Sequence, residues 1–78
     1  KGDRAENIEI AIEHYKKALQ IRTKEGFPTD WAMTQNNLAV AYSKRIKGDR
    51  AENLEIAIEH CKKALQIRTK EGFPTDWA

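Results

Sequence analysis

Ile8, Ala11, Ile12, Tyr15, Ala18 and Leu19 recur at steps of three and four residues, and Leu54, Ala57, Ile58, Cys61, Ala64 and Leu65 repeat that rhythm further along. Such spacing places one apolar stripe along a helix, so each run predicts a helix with a buried face. Asp3 with Glu6, and Asp49 with Glu52, have the spacing of a capping aspartate and a reciprocal glutamate. Lys16, Lys17, Arg22 and Lys24 follow later, the order of charge that a helix dipole favours. Glu13 with Lys17, and Glu59 with Lys63, add four-residue pairs worth roughly 0.2–0.5 kcal/mol each. Gly26 and Gly72 are expected to stop their helices, each with a proline two residues on. A helix of a second kind is predicted from near Asp30, with Thr29 as its cap, through Trp31, Gln35, Leu38, Ala41, Tyr42 and Arg45 to about Ile46, where Gly48 ends it. The reading is all-α: three helices near 4-25, 30-46 and 50-71, joined by turns short enough to make neighbours antiparallel.

The strongest single feature is internal repetition. Lys1 to Ala32 returns as Lys47 to Ala78 at an offset of 46 residues, with two changes, Ile8 to Leu54 and Tyr15 to Cys61. A fixed period of about 20–50 residues is the mark of a solenoid or propeller, whose units bury their apolar faces only against neighbours. Residues 1–78 therefore read as one domain of about one and two-thirds repeats, 1–46 and a partial 47–78. Starting at Lys1 and cut out of phase, they are expected to be an excerpt of a longer array.

Composition narrows the function. Fourteen basic and twelve acidic residues give a net charge of +2 with the signs intermixed, which argues against the concentrated basic face of a nucleic-acid reader or a membrane-surface protein. No apolar stretch approaches the roughly 20 residues needed to cross a bilayer, and no leader pattern precedes the first helix. The one cysteine, Cys61, cannot form an internal disulfide, and no Cys/His spacing suggests a metal site. A cytoplasmic location is expected. No phosphate loop, catalytic triad or cofactor motif is present, so neither enzyme activity nor a cofactor is expected.

The residues resemble the tetratricopeptide pattern, in which small side chains stand where helices cross and large ones fill the gaps. Leu38, Ala39 and Tyr42 match the Leu, small and Tyr positions of its first helix. Ala11, Tyr15 and Ala18, and again Ala57, Cys61 and Ala64, match the Ala, aromatic and Ala positions of the second; Pro28 and Pro74 match its closing proline. The usual repeat has about 34 residues; this unit is longer, with Trp31 opening an extended first helix, and its run Ala18-Leu19-Gln20-Ile21-Arg22 followed by Asn36-Asn37-Leu38-Ala39 is similar to the longer-repeat subgroup seen in kinesin light chains and cell-polarity adaptors. This resemblance implies an α-solenoid of antiparallel helix pairs acting as a protein-interaction scaffold. It implies that first helices line a concave face that takes a partner's peptide, often through asparagine amides; carried over, that set is Met33, Asn36, Asn37, Val40, Ser43 and Lys44, with Asn37 the best match.

Other candidates have plainer readings. His14 and His60 lie beside lysines with no convergent acid and are expected to be solvated or edge-packed. Cys61, standing for Tyr15, is expected to be a buried packing thiol, and Trp31 and Trp77 to plug the turns between repeats with Phe27 and Phe73 alongside. The helix order second, first, second leaves both outer helices without one partner, and Glu55, Ile56, Glu59 and Cys61 are no more polar than the internal copy. Self-association, or further residues flanking the chain, is expected. The rival to a peptide-binding scaffold is a structural or self-assembling array of near-identical units.

Overall fold

The computed structural model describes residues 3–70, with side chains through Ile67; the expected stop at Gly72, the closing Pro74, and Phe73 and Trp77 lie outside the described residues. Three helices are present, α1 (Arg4–Ile21), α2 (Pro28–Ser43) and α3 (Arg50–Lys70), and there is no strand among the described residues. Asp3 caps α1 by accepting from the Ala5 N–H, and Asp49 caps α3 by accepting from the Glu52 N–H. Neither Glu13–Lys17 nor Glu59–Lys63 closes to an ion pair among the described residues.

Two boundaries differ from expectation. α1 ends at Ile21, four residues short of the predicted end, because Thr23 organises a turn of its own: its hydroxyl accepts from the Gly26 N–H and its carbonyl from the Phe27 N–H. α2 starts at Pro28 rather than Asp30, with Phe27 instead of Thr29 at the cap position. Proline is pre-set for the first helical position, where its missing N–H costs nothing. At its other end α2 stops at Ser43, before the predicted Ile46, and Gly48 carries the connection through a left-handed φ of 84°.

α2 is the central element. Arg45, just past its C-terminal end, reaches Glu9 near the start of α1 and Asn53 near the start of α3, while Lys24, in the turn between α1 and α2, reaches Gln66 late in α3. These contacts make α2 antiparallel to both neighbours. Small residues allow the close approach: Ala39 and Ala57 share a buried cluster with Ile12, Leu38 and Tyr42, and Ala32 and Ala64 share another with Ile67, with Trp31 packed at its edge. Leu38 is completely buried where residues of all three helices meet.

The repeated helix uses a different face in each copy. α1 turns Ile8, Ile12, Tyr15 and Leu19 toward α2, as the stripe predicts. α3 does not: only Ala57 and Ala64 of its predicted stripe are buried, whereas Leu54, Ile58, Cys61 and Leu65 face solvent. The reason is geometric, since α2 lies against an adjacent flank of α3, where Asn53, Ala57, Ala64 and Ile67 are covered. Ile12 is 5% exposed and its twin Ile58 54%; conversely Ile21 is 74% exposed and its twin Ile67 7%. Cys61 is thus an exposed thiol, not the buried one expected.

Candidate functional site

With α1 and α3 packed on it, α2 keeps one face open. Met33, Asn36, Asn37, Val40 and Lys44 are exposed there at three- and four-residue steps, and Ser43 sits half-buried at the edge. All six residues expected from the sequence therefore fall on one stripe. The side chains differ in readiness. Ser43 donates its hydroxyl hydrogen to the Val40 carbonyl at 2.7 Å, so its donor is committed to its own helix. Asn36 and Asn37 make no side-chain hydrogen bond among the described residues. Each amide can donate and accept at once, between the apolar Met33 and Val40, a combination suited to a peptide backbone flanked by small apolar side chains.

Behind this face lies a polar layer that sequence reasoning missed. Gln35 is buried at 3% exposure and accepts from Nδ1 of His60 at 2.5 Å, and the His60 ring stacks on Tyr42 with centroids 5.7 Å apart. His60 is thus edge-packed, as expected, but also fixed in its Nδ1–H form by Gln35; His14, its twin, is exposed. At the other end of α2, Arg45 makes a two-pronged bond to Glu9, at 2.7 and 2.9 Å, and a third contact to Asn53 Oδ1. Asn53, 2% exposed, donates to the Lys47 carbonyl, and Gly48 leaves room beside both side chains. These contacts hold the backbone of α2 against both neighbours, so the exposed stripe stands on a braced element. The only sequence signal for the layer was Gln35 itself, a polar residue spaced three and four from the apolar Ala32, Leu38 and Ala39.

Electrostatics give the layer a pH dependence. Burial, reinforced by the Lys63 and Lys16 cations and opposed by Glu59, holds the His60 imidazole below the ordinary value of 6.5. A histidine whose folded value is depressed takes up protons more readily when unfolded, so this contribution is complete above pH 6.5 and erodes as the pH falls below it, levelling once the lowered folded value is passed. The Arg45 hydrogen bonds pull Glu9 below its ordinary 4.5, so that pair loses its contribution only at more acidic pH. The urea midpoint is expected to be lower at pH 5.5 than at 7.5, with the difference shrinking in His60→Gln. An equal drop in that variant would refute the assignment.

Around Trp31 the first turn is tied down by Lys24, whose ammonium lies 5.5 Å from the ring centre and donates to Gln66. Trp31 is half-buried against the Ala32, Ala64 and Ile67 cluster, in the plugging role expected, whereas Phe27 is largely exposed. No cluster of three metal-ligating side chains occurs among the described residues, and none of their helices is long and apolar enough to cross a membrane. Among known protein families, one described as tetratricopeptide repeat matches residues 31–71, more than half of the chain, a stretch that covers α3 and all of α2 but its first three residues. Neither the curated proteins nor the solved structures provide a match.

Proposed function

Because the chain belongs to the tetratricopeptide repeat family, we propose that it is a protein-interaction module that receives an extended segment of a partner protein along the open face of α2. The family is generally a non-enzymatic protein-interaction module. The observation that carries the finer reading is the pair of amides, Asn36 and Asn37, unengaged among the described residues, between exposed Met33 and Val40 on the one face of α2 that neither neighbour covers. Peptide backbone would bond the amides while its side chains rest on Met33 and Val40, and Lys44 would favour an acidic residue at that end. We place the module in the reducing cytoplasm, where a lone exposed thiol such as Cys61 stays free.

Selecting binders from a random peptide library against the 78-residue chain, and measuring their affinity by fluorescence anisotropy, tests this. Asn37→Ala is expected to weaken a selected peptide about tenfold, the scale of one lost hydrogen bond. Lys17→Ala, exposed on α1, is expected to change nothing. Asn37→Ala within twofold of the parent would remove the assignment.

A second reading, an array in which copies stack on one another, is favoured by the apolar side chains that the outer helices leave in solvent: Ile10 and Ile21 on α1, and Leu54, Ile58 and Leu65 on α3.

A further inference from the structure

The exposed face of α3 reproduces, almost residue for residue, the seat in which α1 holds α2. On α1 that seat is Ile8, Ile12, Tyr15 and Leu19, with Glu9 taking both arms of Arg45. On α3 the same positions are Leu54, Ile58, Cys61 and Leu65, with Glu55 in the place of Glu9. These side chains lie in solvent, and Glu55 and Ile58 help line a shallow depression with Glu52, Ile56 and Glu59. Glu55 has no ion-pair partner among the described residues.

We propose that this face receives α2 of a second copy of the chain, displacing that copy's own α1, so that Arg45 of one copy bonds Glu55 of the next and the chains join head to tail. The proposal rests on the array reading above and names its interface. Displacement is required because α2 is already covered on both sides, with Leu38 wholly buried. α1 is the helix that yields, since α2 packs more extensively on α3 than on α1. The incoming seat closely matches the original in its side chains: Leu54 keeps the volume of Ile8, and Ile58 and Leu65 are identical to Ile12 and Leu19. Only Cys61, smaller than Tyr15, loosens it; because the contact joins two molecules, the exchange depends on concentration. A contact between different surfaces of successive copies gives an open series, or a ring where its rotation closes. The Met33 to Lys44 stripe faces outward in both arrangements, so peptide binding and exchange are separable.

Cys61, the chain's only cysteine, reports on this without substitution. Sedimentation equilibrium of the 78-residue chain from micromolar to millimolar is expected to show mass rising with concentration, and Cys61 alkylation is expected to slow about tenfold over the same range as the thiol loses access. Ile58→Glu, at a half-exposed position, is expected to keep the chain monomeric with its helical circular dichroism intact. Ile10→Glu, on the other open face, is expected to leave association as it is. Ile8→Ala, which loosens α1 on α2, is expected to strengthen it. A chain that stays monomeric throughout overturns both the exchange and the array reading. Association lost in Ile10→Glu, kept in Ile58→Glu, unaltered or weakened in Ile8→Ala, or accompanied by constant Cys61 reactivity overturns the exchange while the array reading stands.

Discussion

Alanine in place of Leu38 is expected to remove about 3–5 kcal/mol of stability, the range for emptying a fully buried leucine site whose surroundings cannot collapse. Leu38 has no exposed surface and shares its cluster with Ile12 of α1, Tyr42 of α2 and Ala57 of α3. The cavity therefore opens where all three helices meet, and the neighbouring alanines have no reach with which to fill it. A domain of this length has a total stability of about 4–12 kcal/mol at the usual 0.05–0.15 kcal/mol per residue, so the variant is expected to lose between about a quarter and all of it. Urea titration followed by circular dichroism checks this, with Val40→Ala on the open face of α2 as the control, expected within about 0.5 kcal/mol of the parent. A loss below about 1 kcal/mol at Leu38 would mean that this residue is not where the helices meet.

The three helices and their antiparallel order were legible because apolar spacing, capping aspartates and the glycine and proline breaks all agree along the chain. Helix ends were less so. Lys24 and Glu25 are ordinary helix residues, and nothing local to them says that the Thr23 hydroxyl will turn the chain early. The open stripe on α2 was also legible, since six residues at helical steps keep a common face whatever the neighbours do. The choice of face on the repeated helix was not. Its sequence carries two apolar flanks, one through Ile12 and one through Ile21, and only the position of α2 decides which is covered in each copy. The polar layer was hidden for a related reason. Glu9 and Arg45 are 36 residues apart, and His60 and Gln35 are 25 apart, distances at which no periodicity links one partner to the other.

That duplicated helix allows a test in which sequence context is held constant. Ile12 and Ile58 both sit within Glu-Ile-Ala-Ile-Glu-His, so replacing either with alanine changes intrinsic helix propensity equally. Only the tertiary surroundings differ. Ile12→Ala is expected to cost about 2–4 kcal/mol, because the side chain is buried against α2 and leaves a cavity. Ile58→Ala is expected to fall within about 0.5 kcal/mol of the parent, measured at concentrations where the chain is monomeric. The second pair reverses the order: Ile67, packed with Ala32 and Ala64, is the costly position, and Ile21, in solvent on α1, the neutral one. Neither a general weakness of α1 nor one of α3 can produce both results, since each helix holds one sensitive and one silent isoleucine. Equal losses within both pairs, or an opposite order in either, would show that α2 does not lie between the two copies on the faces described.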